Sequence, residues 1–205
     1  MVLRTAGFPI GHFPAGAFPD GYWPKLPVYP VSLDEIKVHL RVVGDDEDFL
    51  IRDLILAATS WAEMFQRRLF ITRAVTMYLD KFEAEVRPGW SPLVSVGTIK
   101  YLDTGGVLQL LEASGYRVDI ETAPGRITPA YGEIWPETRR ITNAVIIEYT
   151  AGYGEAGDVP DDTVSAIKLL VGHWYENRSA VGELHYENVP AAAISLLWRR
   201  RLITA

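Results

Sequence analysis

The stretch from Asp45 to Leu69, DDEDFLIRDLILAATSWAEMFQRRL, constrains the fold of this chain more than any other. Leu50, Leu54, Ala58, Trp61 and Phe65 recur every three or four residues and so share one stripe of a helix. Phe49, Ile51, Ile55 and Ala62 widen that stripe until only Asp48, Arg52, Asp53, Ser60, Glu63 and Arg67 are left as the polar face. A helix this apolar needs cover on more than one side, so the spacing predicts a central core helix over about 46–68. The ends agree with that direction. Asp45 to Asp48 place acid at the positive end of the macrodipole, and Arg67 and Arg68 place base at the negative end. Asp45, just after Gly44, is the expected N-cap. On this reading Leu54→Asp unfolds the domain by burying an unpaired charge.

The flanking sequence builds around this helix. Ser32-Leu33-Asp34-Glu35 is a capping box that opens a short helix over about 33–41, with Leu33, Ile36 and Leu40 apolar. The brief Val42-Val43-Gly44 connection predicts that it folds back on the central helix as an antiparallel hairpin. From Ile71 the period changes to two. Val75, Met77 and Leu79 alternate with Thr76, Tyr78 and Asp80, and Asp103-Thr104-Gly105-Gly106 sits between two apolar runs as a hairpin turn. Tyr116 to Ile120 and Ala144 to Thr150 are further strands, while Ala123 to Arg140 is expected to be mostly loop around a buried Trp135. Pro160, Asp161 and Asp162 then open a helix over about 161–178 with a Val164, Ile167, Val171 and Trp174 stripe, and Pro190 starts a last one. The class is therefore α+β: a helical core, made of the hairpin and two C-terminal helices, with a small antiparallel β region inserted at about 71–155. Residues 1–30 are Pro- and Gly-rich yet aromatic, an extended arm that packs on its own domain or reaches a neighbouring subunit.

Charge and composition narrow the function classes. A formal net charge of −6 opposes a non-specific nucleic-acid binder. The chain has no cysteine, which removes disulfides, thiol nucleophiles and thiolate metal sites together. No apolar run approaches the ~20 residues that span a bilayer, so no membrane role is expected. Glycines and prolines break every apolar run in the first thirty residues, where a cleaved signal would need one.

Three patterns could carry chemistry. Gly152-Tyr153-Gly154-Glu155-Ala156-Gly157 matches the dinucleotide fingerprint G-x-G-x-x-G. Its neighbours Glu155, Asp158, Asp161 and Asp162 would repel a phosphate, and Pro160 separates the glycines from the helix, so a Gly-rich turn is the favoured reading. His173 and Glu176 are three apart on a helix, but His12, His39 and His185 supply no matching third ligand, which favours a locally bonded histidine. Arg199, Arg200 and Arg201 could touch nucleic acid or an acidic partner surface. A helix C-terminus complementing its dipole explains one or two of them, but three beside Trp198 exceed that need and suit partner docking, since Trp and Arg often carry interface energy. No catalytic, cofactor-binding or metal residues are assigned.

Several ordered stretches together resemble the head–tail connector (adaptor) proteins of tailed phages, which also occur in phage-derived gene transfer agents. They are Val31–Val42, the acidic turn with Asp48–Ala58, Tyr116–Asp119, Trp135-Pro136, Tyr149–Gly154, and Val159-Pro160 leading through Ala166 to Arg178. The resemblance spans roughly residues 31–200, leaving the N-terminal arm outside it. It implies a structural, non-enzymatic protein without cofactor, found in the neck of a phage or phage-like particle and present in the host cytoplasm during assembly. Such a protein forms a dodecameric ring beneath the portal protein, extends the DNA channel without sequence-specific binding, and offers a platform to the next neck or tail protein. The family's C-terminal segment docks on the portal, which carries over to Ile194, Leu197, Trp198, Arg199, Arg200, Arg201 and Leu202, within a docking helix at 190–205 that follows a connector domain at 31–189. Truncation at Pro190 is then expected to abolish portal binding and leave the domain folded.

Overall fold

The computed structural model describes residues 28–177 and 189–203, so most of the expected N-terminal arm lies outside the described residues. Helices α1 (Leu33–Leu40) and α2 (Asp48–Gln66) precede the strands, and α3 (Asp161–Glu176) and α4 (Ala191–Trp198) follow them. Between lie β1 (Arg73–Leu79), β2 (Leu93–Leu102), β3 (Leu108–Leu110), β4 (Tyr116–Asp119), β5 (Arg126–Pro129) and β6 (Val145–Ala151). The fold is α+β.

Local chemistry explains how α1 begins. The Ser32 hydroxyl accepts from the Glu35 amide at 3.2 Å, and the Glu35 carboxylate accepts from the Ser32 amide at 3.0 Å. The two side chains thus satisfy amides that the first turn leaves without partners. Arg41 ends the helix in the left-handed region (φ 59°). The start of α2 departs from expectation: Glu47, not Asp45, is the N-cap residue, and its side chain makes no capping bond. Lys37 of α1 competes for the Asp45 carboxylate and donates to both Asp45 and Asp48 at 2.8 Å. Those acids tie the corner between the two helices together.

The buried stripe of α2 is also displaced from the expected one. Ile51, Ile55, Ala58 and Ala62 are fully buried, joined by Thr59, Glu63 and Gln66, whereas Leu50, Leu54, Trp61 and Phe65 are only half-buried. Phe49, at 80% exposure, and Met64, at 71%, face solvent. The helix is therefore covered along one broad face, by α1, α3 and α4, and not all round. A helix apolar on nearly every side gives periodicity little contrast, so it locates the stripe only to within about one residue.

Two cores result. Ile36, Ile51, Ile55, Phe70, Ile167, Leu170 and Leu197 belong to the helical one. Leu69, Ile99, Ile127, Val145 and Ile147 belong to the one under the strands. Leu69 and Phe70, adjacent in sequence, thus enter different cores. Glu63 fixes this junction, because its carboxylate accepts from the Phe70 amide at 2.8 Å and pairs with Arg73 at 2.8 Å. A residue assigned to the polar face is in fact buried, and it binds the helical part to the first strand.

The larger sheet is antiparallel with order β1-β6-β2-β3, and β4 pairs with β5 as a separate ribbon. β6 lies between two partners, so Val145, Ile147, Tyr149 and Ala151 are buried on its inner face. β2 and β3 close the hairpin that the Asp103–Gly106 turn predicts, and the Val107 amide donates to the Asp103 carboxylate at 2.9 Å. β5 falls where a loop was expected. Pro124, Gly125 and Pro129 bracket a strand only four residues long, and it is pinned by Ile127, whose amide and carbonyl bond Val86 at 2.8 and 2.9 Å. Trp135 is half-buried and stacks on Phe82 with centroids 4.6 Å apart.

Candidate docking surface

The end of the chain folds back onto the ends of α2 and α3. Ala193 and Leu197 of α4 are completely buried in the helical core. The last carbonyls of a helix lack intrahelical donors, and here residues at and just after the end of α2 donate to the end of the chain. The Gln66 side-chain amide donates to the Leu197 carbonyl at 2.9 Å, and the Arg68 guanidinium donates to the Arg200 carbonyl at 2.7 Å. In return the Leu202 amide donates to the Gln66 carbonyl at 3.0 Å.

Above this backbone lattice stands an aromatic and cationic cluster. Trp61 stacks on Phe65 with centroids 5.2 Å apart, and Phe65 meets Trp198 at 5.8 Å. The Arg201 guanidinium lies 4.9 Å from the Phe65 centroid and 4.7 Å from that of Trp198. Arg200 instead pairs with Asp162 at 2.9 Å, and that carboxylate raises the guanidinium's pKa further above its ordinary value. Trp198, Arg199, Arg200 and Arg201 are exposed, and Ile194 and Leu202 are half-buried. Leu197, expected on the docking face, instead points into the chain's own core. A helix of two turns offers too few residues for spacing to tell its inward face from its outward one.

The glycine motif has a different physical basis. Gly152 (φ 139°) lies against the chain after α2, where an added Cβ would come within 2.4 Å of the Thr72 Cα. Gly154 (φ 144°) accepts from the Thr72 amide at 2.8 Å. The Glu155 amide, a position that would face a phosphate in a nucleotide site, donates to the Asp158 carboxylate at 2.8 Å. The chain's own acid occupies the turn, which makes it a close crossing of two backbone segments. His173 sits on α3 with Asn177 beside it, whose side-chain amide donates to the His173 carbonyl at 2.8 Å. Among the described residues no group of three or more His, Asp or Glu side chains converges as a metal set, and no helix is long and apolar enough to cross a membrane.

No family model matches the chain, and no curated protein matches it. Solved structures do. The chain is similar to one in the neck of an empty GTA particle computed with C6 symmetry, at 24% identity over 86% of this chain and 91% of that one, with a TM-score of 0.72. It is similar to one in the virion of a native gene transfer agent particle, at 22% identity over 88% and 95%, with a TM-score of 0.71. A third, in the neck of a native GTA particle computed with C12 symmetry, matches at 24% identity over 82% and 89%, with a TM-score of 0.65. Likeness at this identity establishes the fold, over nearly the whole of both chains.

Sequence reasoning missed the α2 half of the C-terminal cluster. Trp61 and Phe65 fitted a core stripe, and Arg67 and Arg68 fitted a helix end facing its dipole. The sequence carried no separate signal for this, because the inward stripe is fixed only by packing. Once Ile51, Ile55, Ala58 and Ala62 take the inward positions, Trp61 and Phe65 must lie at the border of the buried face.

Proposed function

We propose that this chain is a structural head–tail connector, or adaptor, in the neck of a phage-like particle. It forms a ring beneath the portal, continues the DNA channel and joins the portal to the next neck or tail protein. The observation that carries this reading is the near full-length fold likeness to chains from the neck and virion of gene transfer agent particles. The C12 and C6 symmetry of those necks favours a ring of twelve copies here. In this ring the segment from Ile194 to Leu202 faces the portal, with Trp198 and the three arginines as its accessible groups and Leu197 as its internal anchor. A net charge of −6 suits a conduit along which DNA must slide without being gripped.

Particles assembled with an epitope-tagged copy of the chain test this location by immuno-electron microscopy. Label at the junction of head and tail is the expected result. Label confined to the tail tip or the capsid faces would overturn the reading.

A further inference from the structure

Among the described residues Arg199 and Arg201 meet no carboxylate, whereas Arg200 is taken by Asp162 and Arg73 by Glu63. On a chain of net charge −6, uncompensated cations thus collect where α2 and α4 end together. Arg201 is held against the rings of Phe65 and Trp198. Stacking engages the face of a guanidinium and leaves its in-plane N–H donors for a planar, bidentate partner. Trp198, at 54% exposure, and Ile203 add apolar surface beside them. Arg68 positions the arrangement: its guanidinium bonds the Arg200 carbonyl and lies 5.9 Å from the Tyr153 ring centroid.

We infer that the ends of α2 and α4 form one composite docking surface, with Phe65 and Arg68 as integral to it as Trp198 and Arg201, and that it receives a carboxylate-bearing segment of a protein partner. This rests on the proposed neck function, in which that partner is the portal. Carboxylate is the anion that best matches the guanidinium fork. A protein is favoured over DNA because exposed tryptophan and aliphatic groups flank the cations, as in interface cores, and because the whole chain is acidic.

The test uses the full chain and the purified portal ring of the same particle, with binding measured at low and moderate salt and each variant's melting curve recorded. Wild type should bind, and more weakly as salt rises. Arg201→Gln and Phe65→Leu should each weaken binding by about tenfold or more while melting close to wild type. Should Phe65→Leu melt early, Arg201→Gln with Arg68→Gln decides instead. Normal portal binding by the α2-side variants, with loss in Trp198→Ala, would overturn the composite surface and leave the neck function standing. A wild-type chain that binds no portal would overturn both. Retention of a short DNA duplex that is lost in Arg201→Gln would reassign the surface to nucleic acid.

Discussion

Glu63 and Glu35 illustrate what single residues disclose before and after folding. Glu35 was legible because its partners are three residues away: the Ser32 amide and hydroxyl, at 3.0 and 2.9 Å. Glu63 was not, because the Phe70 amide that it satisfies reaches it only through the turn after α2. Glu63→Ala leaves that buried amide without an acceptor and should cost roughly 1–3 kcal/mol in urea unfolding. Arg73, half-exposed, can recover water. The Ser32 amide, and then Lys168 at 3.0 Å, hold the Glu35 carboxyl below the usual glutamate range. A depressed carboxyl stabilises the fold above its unfolded value of about 4.3 and loses that contribution as pH falls through the lower folded value. Wild type should therefore exceed Glu35→Gln in unfolding free energy at neutral pH, by less than about 1 kcal/mol because the side chain is half-exposed. The difference should vanish in acid. A gap that did not narrow as pH fell would contradict this assignment.

At the scale of elements, periodicity identified β1 and β6, where more and less buried positions alternate, and the long helices, where apolar residues recur every three or four. It failed where that contrast was weak. The α2 stripe is the clearest case: Leu54 is half-buried and Ile55 is 1% exposed. Ile55→Asp should thus cost on the order of 4 kcal/mol and Leu54→Asp distinctly less, as read by thermal melts. β5 was hidden by the prolines and glycine around it, although it pairs with the nearby β4, and its bridge to Val86 comes from far away in sequence. The packing of α4 argues against the expectation that truncation at Pro190 leaves the domain intact. Ala193 and Leu197 fill the helical core, so removing α4 should destabilise the remainder by roughly 3 kcal/mol or more. An unchanged melting curve after truncation would mean that α4 does not pack as described. The glycine crossing offers an independent check. Gly152→Ala drives a methyl against the Thr72 backbone and should destabilise by roughly 2 kcal/mol or more without any nucleotide-dependent effect.

For the whole molecule, the charge distribution says more than the net charge. Acids cluster at the start of α2, while Arg67, Arg68 and Arg199 to Arg201 gather where α2 and α4 end, about 28 Å away along the 19 residues of α2, and there Asp162 at the start of α3 takes Arg200. The triple arginine pointed to that end in the sequence; its aromatic bed from α2 appeared only with tertiary packing. The most direct measurement is the mass of the complex formed when the purified chain meets the portal ring of the same particle. A discrete increment of one 22.9 kDa copy per portal subunit is the predicted result. A folded chain that adds no mass to the portal, or adds it without fixed stoichiometry, would contradict the account.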